Sequence, residues 1–95
     1  MIGATPAQLE ALRYLAGYRM ANHGIAPTVR EMARALGCSP TAIKNRLDEL
    51  EDCGFIRRLP SRARAIEPTV KVDPLFEMGG QLFRFIPAHR IGKDG

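Results

Sequence analysis

The sequence predicts a mainly α domain with a small β-hairpin, followed by a short C-terminal β extension. Three observations carry this. Three stretches of helical spacing each open on a capping hydroxyl, at Thr5, Thr28 and Ser39. After Gly54 the apolar period changes from helix to strand. A Gly79-Gly80 pair then separates two further apolar runs, a hairpin signal.

The first helix is predicted from Pro6 to Asn22, stopping at Gly24. Leu9, Leu12, Leu15, Ala16 and Met20 supply its buried stripe. Proline suits the first helical position, where its missing N–H costs nothing. Gly17 inside this helix costs about 1 kcal/mol relative to alanine, so it marks a close approach, expected to be to another helix. Ile25-Ala26-Pro27 is an extended connection, because the residue before proline avoids the helical region. Thr28-Val29-Arg30-Glu31 is a capping box that starts a short second helix, with Met32, Ala33 and Leu36 facing inward. It ends at Gly37. Only Cys38 separates that glycine from Ser39, the cap of the third helix, so the two helices must cross steeply in a helix-turn-helix unit.

The third helix runs from Ser39 to Gly54 with both ends marked. Ile43, Leu47 and Leu50 form its core stripe. Thr41, Lys44, Asn45 and Asp48 fall on the opposite stripe. Phe55–Leu59 and Ala65–Glu67 are strand candidates joined by the turn-rich Pro60–Arg64. Three helices followed by a hairpin with a basic tip make a winged helix-turn-helix. The division expected is residues 1–69 for that domain and 70–95 for a C-terminal extension, itself a hairpin over Leu75–Ile86.

A chain of 95 residues with a net charge of +4 suits one domain and favours an anionic partner. Arg57, Arg58, Arg62 and Arg64 crowd one stretch, and Asp48, Glu49, Glu51 and Asp52 crowd the end of the third helix. Two cysteines, Cys38 and Cys53, are too few for a disulfide scaffold and point to a reducing compartment. No leader pattern or membrane-length apolar run stands in the sequence, so a cytoplasmic location is expected. His23 and His89 stand alone, no His/Cys cluster has metal spacing, and no nucleophile, base and orienting group recur together. No enzyme, cofactor, metal or small-molecule substrate is indicated.

Residues 5–69 resemble the N-terminal DNA-binding domain of the LexA repressor family. The matching stretches are Ile25–Ala33, Leu36-Gly37, Ser39-Pro40, Leu47–Gly54, Ile56–Arg58 and Arg64–Glu67. The resemblance implies a winged helix that reads operator DNA with its third helix and touches the backbone with its wing. That family carries a second, Ser/Lys peptidase domain that holds its dimer. Residues 70–95 contain no serine, so no such dyad can form there.

On double-stranded DNA the third helix would enter the major groove, where each base pair shows a distinct donor and acceptor pattern. Asn45 suits adenine, Lys44 suits guanine, and the methyls of Thr41 and Ala42 suit thymine. Asp48 could accept from cytosine, but it is expected instead to orient Lys44, its i+4 partner. Thr28 and Ser39, at helix N-termini, suit phosphate. Arg62 and Arg64 at the wing tip suit phosphate or the minor groove. Of Arg57 and Arg58 only one can face DNA, since strand residues alternate; Arg58 is the choice. The side chains differ from the family's usual ones, so a different operator is expected. A transcriptional repressor follows. The alternatives are a protein-interaction or adaptor module on the same fold, or a replication or partition factor. One such module reads a short half-site, so a homodimer through Leu82, Phe83, Phe85 and Ile86 of the extension is expected; the rival is a hairpin packed on its own domain.

Overall fold

The computed structural model describes residues 4–59 and 66–84, in the order α1 (Pro6–Ala21), α2 (Val29–Leu36), α3 (Pro40–Asp52), β1 (Ile56–Arg58), β2 (Ile66–Pro68), β3 (Leu75–Met78) and β4 (Gln81–Arg84). Each helix begins where a side-chain oxygen meets an otherwise unpaired backbone N–H. Thr5 and Gln8 cap α1 reciprocally, each side chain accepting from the other's N–H at 3.1 Å. Glu31 and Thr28 do the same for α2 at 2.8 and 3.0 Å. Ser39 Oγ accepts from the N–H of Ala42 at 3.1 Å and opens α3.

The helix-turn-helix depends on Gly37, which adopts the left-handed conformation with φ 71°. The N–H of Cys38 then reaches the carbonyl of Ala33 at 3.0 Å, and α3 starts two residues later. The steep crossing buries Ala33, Ile43 and Leu47. With Leu12, Leu15, Met32, Leu50 and Ile56 they form one core beneath α1. A second brace is polar: Gln8 Nε2 donates to Glu49 Oε1 at 2.6 Å and ties the start of α1 to α3.

β1 and β2 pair antiparallel, with Ile56 opposite Pro68, Arg57 opposite Glu67 and Arg58 opposite Ile66. Ile56 faces the core and Arg57 faces away, the alternation a half-buried strand requires. Arg57 pairs with Glu67 directly across the ladder. That contact and the Arg57 charge hold the Glu67 carboxyl below its ordinary range.

β3 and β4 form a second hairpin around Gly79 and Gly80, both at positive φ. It lies on its own domain. Leu75 and Leu82 pack against the core cluster, and Pro74 is buried. The partner of Gly17 is therefore a strand and not another helix: a Cβ on Gly17 would stand 2.2 Å from the carbonyl oxygen of Leu75. The expected dimer contact changes with it. Leu82 is half-buried on its own chain, Phe83 is exposed, and Phe85 and Ile86 lie outside the described residues.

Candidate nucleic-acid interface

The exposed face of α3 carries Thr41, Lys44, Asn45 and Asp48, with Ala42 half-buried on its flank. The face exists because Ile43, Leu47 and Leu50 are fully buried on the other side, leaving no freedom in the helix's rotation. Lys44 makes no ion pair among the described residues. Asp48 does not orient it; its Oδ1 lies 3.1 Å from Arg58 Nη2 instead, and Glu51 Oε1 lies 3.5 Å from Arg58 Nη1. The strand that follows α3 delivers a guanidinium to two carboxylates, a stronger charge match than one exposed i,i+4 lysine.

This pairing changes the place of Arg58. Its guanidinium is taken up by the acidic end of α3, so Arg58 is not an open cation on this face. Arg57, on the opposite side of the strand, is committed to Glu67. Arg62 and Arg64 fall outside the described residues.

The two helix N-termini are unequal. At Ser39, Oγ is used as an acceptor, its O–H is left to donate, and Pro40 has no N–H. At Thr28 the backbone N–H already donates to the Glu31 carboxylate, at 2.8 Å. A phosphate there would meet a fixed negative charge, so Thr28 offers its hydroxyl and little else. Arg46 was not picked out from the sequence, because its position lies on the flank between core and surface stripes. Its Nη1 donates to Cys38 Sγ at 3.3 Å, which sets a half-buried guanidinium across the turn before α3.

Among the described residues no group of three His, Cys, Asp or Glu side chains could hold a metal, and no helix is long and apolar enough to cross a membrane.

The family model described as the LexA DNA binding domain matches residues 1–65. The chain belongs to the LexA DNA-binding domain family. It is 37% identical over 82 residues to a LexA repressor of Anaeromyxobacter dehalogenans (strain 2CP-C), a match covering 85% of this chain and 35% of that protein. A LexA repressor of Anaeromyxobacter sp. (strain K) is 40% identical over 81 residues, covering 84% and 35% respectively. The chain thus spans about a third of the length of the curated relatives it matches. The LexA domain match covers all three helices and β1, so the capped α3 and its exposed stripe lie within it.

Proposed function

We propose that this chain is a sequence-specific double-stranded DNA-binding protein that acts as a transcriptional repressor, reading its operator with α3 and touching the backbone with its wing. One observation carries the reading: in a domain of the LexA family, a helix capped at Ser39 turns Thr41, Lys44 and Asn45 outward as an uncommitted cation and hydrogen-bonding groups. Asn45 would pair with adenine and Lys44 with guanine, while Thr41 and Ala42 would meet thymine methyls. Ser39 and the wing-tip Arg62 and Arg64 would hold phosphates, with Thr28 in a lesser role. The Asp48–Arg58–Glu51 cluster would keep the acidic end of α3 from repelling the duplex. No catalytic step belongs to this reading. Two free thiols suit the reducing cytoplasm in which such a regulator would work.

We divide the chain into a DNA-binding part, residues 1–69, and an extension, residues 70–95, that serves assembly. The outer face of the β3–β4 hairpin sets Phe76, Met78 and Phe83 side by side, away from Leu75 and Leu82. Met78 is 59% and Phe83 43% exposed. A second copy meeting this face would set two α3 helices on a two-fold site, as a palindromic operator requires.

Selection of bound sequences from random duplex DNA tests both parts. The expected result is a defined motif present as an inverted repeat. Recovery of unenriched sequence overturns specific recognition. A single unrepeated motif, bound by a species that sediments as a monomer, overturns the dimer.

A further inference from the structure

We propose that the free edge of β4 pairs antiparallel with the same edge of a second copy of this chain. The two hairpins then join into one four-stranded sheet, with Phe83 of each copy at the two-fold axis. This rests on the assembly role given to the extension and names the contact that performs it.

The β3–β4 sheet has two edges, and only one of them is closed. Along β3, a Cβ placed on Gly17 would stand 2.2 Å from the Leu75 oxygen and 3.1 Å from its nitrogen, so both backbone groups of Leu75 point at α1. In an antiparallel ladder, pairs that exchange hydrogen bonds alternate with pairs that do not. Leu75 and Arg84 are therefore a non-bonded pair, and Phe76 and Phe83 a bonded one. The two-residue turn requires the same phase, because Met78 and Gln81, the bonded pair that closes it, lie two steps further on. On β4 this turns the N–H and C=O of Phe83 toward β3 and those of Leu82 and Arg84 outward. No strand receives them, and neither residue's backbone bonds to another element among the described residues.

That edge is complementary to itself. Leu82 and Arg84 are two residues apart, so in an antiparallel pair Leu82 meets Arg84 of the second copy and Arg84 meets its Leu82, each pair exchanging both main-chain bonds. Phe83 then meets Phe83 in the intervening non-bonded pair, where side chains stand closest. Phe83 is 43% exposed, and it shares the outer face of the hairpin with Phe76 and Met78. A one-residue slip sets the outer face of one copy against the inner face of the other. A two-residue slip either sets Arg84 against Arg84, a like-charge pair, or runs Arg84 onto Gly80 in the turn. In the remaining register no like charges meet, and Arg84 Nε lies 3.9 Å from Asp73 Oδ2 of its own chain. Neither a proline nor a bulge blunts β4. Its four residues make a small interface, so the pairing is weak in free solution and strengthens when two copies sit on one duplex.

The test is disulfide trapping of the full chain at millimolar protein, in a Cys38→Ala/Cys53→Ser background, with diamide as oxidant. Phe83→Cys should give a linked dimer roughly tenfold faster than Gln81→Cys or Met78→Cys, whose sulfurs would lie beyond bridging distance in this register. Adding Arg84→Pro should abolish the Phe83→Cys link, since it removes an edge N–H and none from the β3 ladder. Linkage by Met78→Cys as fast as by Phe83→Cys overturns edge pairing in favour of face-to-face contact. Absence of linkage overturns it outright, as does linkage that survives Arg84→Pro. An inverted repeat recovered by selection, beside a chain that Phe83→Cys does not link, refutes the edge contact and leaves the dimeric reading intact. Fast linkage beside a single unrepeated motif upholds the edge contact and refutes the palindromic operator.

Discussion

Replacing Gly17 with alanine sets two backbone effects of opposite sign against each other. In a helix interior Gly→Ala stabilises by about 1 kcal/mol through lost freedom in the unfolded chain. Here the new Cβ would stand 2.2 Å from the Leu75 carbonyl oxygen and 2.9 Å from its carbon, both backbone atoms. Real Cβ contacts essentially never fall below 3.0 Å, so β3 must retreat by at least 0.8 Å (3.0 minus 2.2) or leave α1. A packed strand cannot retreat so far and keep its contacts. Leu75 and Leu82 are half-buried at this junction, worth about 1 kcal/mol each at half the value of a fully buried leucine. Release of the hairpin thus costs about 2 kcal/mol, leaving a net loss of about 1 kcal/mol. For a domain of this size that is a fall of several degrees in Tm. The two terms separate in a chain ending at Thr69, where the strand is gone and Gly17→Ala should raise Tm instead. Calorimetric melting of the four proteins reads the sign reversal, and hydrogen exchange of the β3 and β4 amides reads the release. Gly17→Ala raising Tm in the full chain, with hairpin amides as protected as in the parent, would refute the reasoning.

Three further outcomes are expected. Asn45→Ala should flatten preference at one base pair at a cost of roughly 1–3 kcal/mol; an unchanged rank order across single-base operator variants removes it as a base reader. The Arg62→Ala/Arg64→Ala double variant should weaken all duplexes alike and lessen the salt dependence, because phosphate contacts release counterions without reading sequence; an identical salt slope takes the wing off the DNA. Arg57→Gln should return the Glu67 carboxyl upward to its ordinary range, followed by NMR titration. Since that carboxyl is depressed in the folded state, its contribution is present above the unfolded carboxylate pKa and is lost as pH falls through the folded one. The variant should therefore lose less stability than the parent on acidification, and an equal loss in both assigns the depressed carboxyl no part in it.

Helix positions and the α3 face were legible in the sequence because they rest on local chemistry. Thr5, Thr28 and Ser39 satisfy N–H groups three residues away, and Gly37 takes a conformation few other residues tolerate, so neighbours along the chain suffice to specify them. The period of Ile43, Leu47 and Leu50 likewise decides which side of α3 is left outside. The partner of each long charged side chain was not legible in this way. Asp48 has Lys44 within reach on its own helix, but β1 brings Arg58 to it from ten residues on. The sequence could show that Gly17 marks a close approach without showing to what, since a glycine states only that space is needed.

The amino-acid order by itself determined the three capped helices, the crossing at Gly37, the outward stripe of α3 and the existence of two hairpins, all consequences of short-range periodicity and backbone preference. Only the tertiary structure decided that the second hairpin lies on α1 and that the Arg58 guanidinium reaches the acidic end of α3. Those outcomes depend on which distant surfaces fit together, and shape complementarity between elements is a property of the packed chain that no local pattern encodes.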